Sequence, residues 1–158
     1  MATRNAVYAK FGIAAEAAQL FETELGSILL ALEAKERRWH ISLDPKTASA
    51  FYERLNRKTL GQILAALKEY IALGDEVELK FQRGLSARNR LNHGFFEGHN
   101  FAIYKVVGRD LMIADLATLH ERLVDAWQTA QTISTSLVGE LITARGSQSG
   151  DGHPQLSS

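Results

Sequence analysis

Two long apolar stripes at helical spacing bracket this chain and leave room for little besides a helical bundle. In the first, Ala14, Ala18, Phe21, Leu25, Ile28 and Leu32 recur at alternating steps of four and three. At about 100° per residue they share one face. In the second, Leu116, Leu119, Leu123, Trp127, Ala130, Ile133, Leu137 and Leu141 recur at steps of three and four. The first stripe predicts a helix from about Ile13 to Arg38. It ends in Lys35, Arg37 and Arg38, whose cations suit the negative end of a helix dipole. Residues 1–10 show no clear period. The second stripe predicts a helix from about Asp110, a good N-cap residue, to Thr143.

Shorter helices fill the interval. Trp39–Leu43 breaks the first pattern, and Asp44-Pro45 is a start signal because proline is accepted in a first turn. A helix over Pro45–Asn56 would present Ala48, Phe51, Tyr52 and Leu55. Arg57-Lys58-Thr59 is a polar break, and Thr59 can cap a helix in which Leu60, Ile63, Leu64, Leu67 and Ile71 recur at helical spacing. Gly74-Asp75 closes it. Glu76–Gln82 alternates polar and apolar residues, which is a strand signature. A lone strand among helices would lack a partner, so this stretch reads as the first turns of a central helix. Gly94 and Gly98 loosen or end that helix around Phe95-Phe96. Phe101–Val107 is compatible with an extended segment or with a helical turn packed on the core. The expected fold is all-α, a bundle of four to five helices with the two long ones antiparallel. It forms one domain over residues 1–144, and residues 145–158, rich in Gly, Ser and Gln, are expected to be a disordered tail.

Composition narrows the chemistry. The chain has 158 residues and no cysteine, which removes disulfides, thiolate metal sites and a cysteine nucleophile. It begins without an apolar leader and has no apolar run of membrane-spanning length, so a cytoplasmic protein without membrane contact is expected. Net charge is zero, which excludes a protein that coats nucleic acid by bulk charge. Between Leu79 and His93, however, lie Lys80, Arg83, Arg88 and Arg90 and no acidic residue. Such a local patch suits an anionic substrate.

The centre of that patch is unusual. On a helix, Phe81, Leu85, Leu91 and Phe95 make an apolar stripe with Arg88 in its middle and Asn92 one turn further on. A guanidinium cannot be deprotonated, so a core-facing position normally excludes it. Asn89 and His93, also four apart, project together from the flank. One reading is a site that combines a fixed cation, two amides and an imidazole. The other makes Arg88 a structural cation, bonded to a helix C-terminus or to a carboxylate such as Glu97, with Arg83 and Arg90 solvated. His93, Glu97 and His99 do not form a convincing metal set, because 93 and 99 lie about 120° apart on a helix and the usual i, i+4 ligand pair is missing. No metal or other cofactor is expected.

Arg88-Asn89-x-x-x-His93 resembles the Arg-x4–6-His motif of the HEPN superfamily, which carries a polar residue after the arginine. Thr59-Leu60-Gly61-Gln62-Ile63-Leu64 is similar to a stretch that precedes the motif in small stand-alone bacterial members. His93-Gly94-Phe95-Phe96-x-x-His99 resembles the segment that follows it, and the likeness spans roughly Phe11–Leu141. The resemblance implies a homodimeric helical bundle whose motif helices meet. It also implies a metal-independent endoribonuclease, often a toxin with a cognate antitoxin or part of a defence system. In that reading Arg88 holds the scissile phosphate, His93 acts as general acid/base, and Asn89 orients one of them. Arg90, Asn92, His99 and Arg83 would bind the RNA substrate. The products would carry a 2′,3′-cyclic phosphate and a 5′-OH. Members silenced by a nucleotidyltransferase partner have a tyrosine two residues after the histidine. Phe95 stands there, so that mode of control is not implied. The alternative is a non-catalytic interaction protein, an antitoxin or a nucleotide- or RNA-binding subunit on the same scaffold.

Overall fold

A computed structural model describes residues 1–149. Within them the chain forms α1 (Arg4–Glu36), α2 (Pro45–Asn56), α3 (Leu60–Tyr70), α4 (Asp75–Asn92), α5 (Phe95–Gly98) and α6 (Val106–Ser149), with one 3-10 turn at Ala102–Tyr104. No strand occurs among the described residues, so the fold is all-α with six helices rather than four or five. None of these helices is long and apolar enough to cross a membrane.

The shorter helices start where the capping chemistry places them. Asp44 accepts hydrogen bonds from the backbone N–H groups of Lys46 and Thr47 at the start of α2. Thr59 and Gln62 form a reciprocal capping box at the start of α3. Glu76–Gln82 is helical, as the lack of a strand partner required. The ambiguous Phe101–Val107 stretch is the 3-10 turn running into α6.

Both long helices exceed their predicted lengths. Thr3 caps α1 by accepting from the Ala6 N–H. Val7 is fully buried and Phe11 half-buried, so the stripe continues back from Ala14 at steps of three and four. Its period was hidden by the small and polar residues between. At the other end α6 continues to Ser149, so residues 145–149 of the expected disordered tail are helical. The rest of that tail lies outside the described residues.

The orientation of the long helices also differs from expectation. Ala2 N–H donates to Asp110 Oδ1 at 2.8 Å beside the start of α6, and Lys35 lies 3.3 Å from Glu140 near its end. The two helices therefore run parallel, not antiparallel. Alternation explains it. Successive helices joined by short connections reverse direction, and the contacts of Tyr70 with Glu33, Phe21 with Phe81 and Lys80 with Asp125 trace those reversals. Four reversals separate α1 from α6, which restores the original direction.

The core fills the space among α1, α3, α4 and α6. Phe21, Leu25, Leu64, Phe81, Leu116 and Leu123 are all essentially inaccessible, each burial contributing about 1.5–3 kcal/mol. Gly84 lets α4 approach both long helices. A Cβ there would stand 2.6 Å from Ala126 Cβ and 2.8 Å from Phe21 Cε1. With one face of α4 held so closely, the side chains on its flank are placed by the backbone.

Candidate functional site

The C-terminal half of α4 carries the polar residues set into the apolar stripe. Phe81, Leu91 and Phe95 are buried and Leu85 half-buried, as the stripe predicts. Arg88 accompanies them, its side chain only 17% exposed. Its Nη2 lies 3.6 Å from Glu22 Oε1 on α1, and its Nη1 donates to Asn89 Oδ1 at 3.3 Å. Arg88 Nε is buried without a hydrogen-bond partner. Buried donors are normally matched. A guanidinium held by one long ion pair, with one donor unmatched, is a poor structural clamp. Its carboxylate partner is Glu22, not Glu97.

Arg88, Asn89 and His93 line one cavity of about 350 Å³, together with Leu85, Thr59 and Gly61. Five residues separate Arg88 from His93, about 140° around a regular helix, so a continuous helix would point them apart. Instead α4 ends at Asn92. His93 leaves helical geometry at φ −124°, ψ 48°, while its N–H still donates to the Asn89 carbonyl at 2.9 Å. Gly94 follows at φ 118°, a conformation that favours glycine. The helix end is thus what lets the imidazole share a cavity with the guanidinium.

Thr59 and Gly61 bring the N-terminal end of α3 to the same cavity. The partial positive charge of that end adds to Arg88, and the neighbouring Glu22 carboxylate opposes it. A guanidinium, a helix N-terminus and an imidazole around one small cavity suit an oxyanion that exchanges a proton.

The other residues expected at the site lie elsewhere. Arg90 makes a two-pronged pair with Asp115 of α6. His99 Nε2 lies 2.7 Å from the same carboxylate, and its ring packs on Phe95 at 4.8 Å between centroids. Burial opposes ionisation of Asp115, but the hydrogen bonds from Arg90 and His99 outweigh it and hold the carboxyl below its ordinary range. Arg90 and His99 are thus engaged in fastening α4 and the turn after it to α6. The reason is angular: two residues past Arg88, a side chain has turned about 200° to the opposite flank. Arg83 borders a different cavity, with His120 and Asp125. Asn92 is exposed at the end of α4, outside the Arg88 cavity. Among the described residues no three His, Asp or Glu side chains are grouped to hold a metal ion.

Sequence reasoning missed Glu22 and Gly61, and assigned Thr59 only as a cap. A signal for Glu22 existed. It stands four residues after Ala18 and three before Leu25, both buried, so it is a charge within an apolar series, as Arg88 is. Two opposite charges on two such stripes are natural partners. Comparison of the chain with protein-family models, with curated proteins and with solved structures gave no match in any of the three.

Proposed function

We propose that this protein is an endoribonuclease of the HEPN type that cleaves RNA without a metal ion and acts as a homodimer, as the toxin of a toxin–antitoxin or defence system. The observation that carries this reading is the meeting of Arg88, Asn89 and His93 on one cavity that the N-terminal end of α3 also borders. RNA brings its own nucleophile, the 2′-OH. The new bond joins O2′ to phosphorus and the bond from phosphorus to O5′ breaks. A proton leaves the 2′-OH and a proton reaches O5′. His93 titrates near neutrality as an ordinary imidazole and is the group placed to move them. Arg88 holds the phosphoryl oxygens as their charge grows, and its unmatched Nε is a further donor in the same guanidinium plane.

One observation favours the second reading, a binding module on the same scaffold. The His93 side chain has no hydrogen-bond partner among the described residues, whereas a catalytic imidazole is usually oriented by a third group. Under the nuclease reading that group comes from the substrate or from the second subunit.

The test is cleavage of total RNA in EDTA by wild type, Arg88→Ala and His93→Ala, with the fragment ends characterised. Cyclic-phosphate ends made by wild type and lost in both variants, with helical circular dichroism unchanged, are expected. A folded dimeric wild type that leaves RNA intact would move the conclusion to the binding module.

A further inference from the structure

A second cavity of about 330 Å³ lies on the other side of the α2–α3 connection. Glu22 forms part of its wall and is also the residue that pairs with Arg88. Lys58 lines it, next in sequence to Thr59 of the first cavity. The two cavities are therefore neighbours, separated by one carboxylate and one peptide unit. Its volume falls within the ordinary range of small-ligand pockets.

The lining has the mixture that a nucleobase needs. Leu55 and Ile63 supply an apolar floor. Tyr52 contributes a ring that is 53% exposed, and exposed aromatic rings are stacking platforms for unpaired bases. Asn56 brings an amide, which both donates and accepts. Lys58 is a cation with no ion-pair partner among the described residues.

Gly26 keeps the space open. It lies in the interior of α1, where glycine is a poor helix former. Packing does not demand it, since a Cβ there would meet only Leu55 Cδ2, at an ordinary 3.8 Å. What its missing side chain leaves is room in the cavity it lines.

We infer that this cavity is a base subsite: it receives the unstacked nucleobase next to the phosphate held by Arg88, with Tyr52 stacking on it, Asn56 bonding its edge and Lys58 neutralising the adjoining phosphate. The inference rests on the RNA reading of the Arg88 cavity and adds to it the residues that would set sequence preference.

The experiment measures binding by fluorescence anisotropy of labelled 2′-O-methyl hexanucleotides (U6, C6, A6 and G6), which lack the nucleophile and cannot be cut. The proteins are the full chain as wild type, Arg88→Ala, Tyr52→Ala, Tyr52→Phe and Gly26→Leu. Wild type should prefer at least one of the four, and Arg88→Ala should weaken binding to all. Tyr52→Ala should weaken the preferred one roughly tenfold, as loss of one stacked base does, and Tyr52→Phe should restore it. Gly26→Leu should reduce binding and the preference with no fall in melting temperature. Binding that depends on Arg88 but is unmoved by Tyr52→Ala and Gly26→Leu would overturn the subsite and leave the RNA reading standing. No binding, or binding indifferent to Arg88→Ala, would overturn both.

Discussion

Arg88 and Arg90 stand two residues apart on one helix and are used in opposite ways. Arg90 is about half exposed, its side chain 49% accessible, yet it is fully matched by the planar carboxylate of Asp115. Arg88 is the more buried and the less satisfied, with a 3.6 Å contact to Glu22 and an unpartnered Nε. If both served folding, the pairing would follow burial, because an unmatched charge is most costly where water is excluded. The reverse distribution argues that Arg90 and Asp115 fasten α4 to α6 while Arg88 is kept for a ligand. Electrostatics in the two regions also runs in different directions. The Asp115 carboxyl gains two donors that outweigh its burial, whereas the Glu22 carboxylate is shared between Arg88 and the neighbouring cavity.

The largest effect expected from breaking this contrast is on turnover. Arg88→Met keeps much of the volume and removes the charge. RNA cleavage should fall at least roughly a hundredfold, in the range seen when one oxyanion donor is removed. Thermal stability should not fall, since replacing a poorly matched buried charge by an apolar side chain is commonly neutral or stabilising. Initial rates in EDTA and a melting curve on the same sample check both halves. A clear loss of stability would return Arg88 to the structural role.

Asp115→Asn should give the mirror image. It weakens the charge-assisted bonds from Arg90 and His99 at a half-buried site, so unfolding free energy should drop by about 2 kcal/mol. The Arg88 cavity contains none of these three residues, so cleavage at a temperature where the variant is folded should stay within a few-fold of wild type. Urea titration followed by circular dichroism measures the first and the EDTA assay the second. A variant that is as stable as wild type but inactive would move Asp115, Arg90 and His99 back toward the site.

How much of this was legible in the sequence follows from which forces act locally. Helices α2 and α3 were readable almost to the residue because Asp44-Pro45 and Thr59…Gln62 are complete capping signals within four residues. The Arg88, Asn89 and His93 trio was readable because a charge in an apolar stripe is anomalous at any register. The parallel course of α1 and α6 was not, since direction depends on the number of reversals between them, and α5 and the 3-10 turn add elements too short to announce themselves. Arg90 and His99 were assigned to the site through their nearness in sequence to the motif. Their true partner, Asp115, lies on α6, beyond any local rule. Glu22 was missed although its register carried the same anomaly as Arg88, because the two anomalies were not set side by side.

A smaller effect separates the two arginines by pH. The Asp115 carboxyl is held below its ordinary value in the folded chain, and a depressed carboxyl contributes stability that is present above its unfolded pKa, about 3.9, and is lost as pH falls through the folded value. The stability gap between wild type and Asp115→Asn should therefore be widest near neutrality and shrink steadily below about pH 4. Glu33 is shifted the same way. Its own burial opposes the shift, but the hydrogen bonds from Tyr70 and Arg37 prevail. Asp115→Asn alone should accordingly keep part of the acid sensitivity, and Asp115→Asn with Glu33→Gln should keep less. Arg88→Met alters neither carboxyl's partners, so its unfolding free energy plotted against pH should run parallel to wild type. Denaturant titrations at closely spaced acid pH values would decide it. A gap between wild type and Asp115→Asn that does not change with pH would mean that Arg90 and His99 hold the carboxylate too weakly to act as the fastening that sets them apart from Arg88.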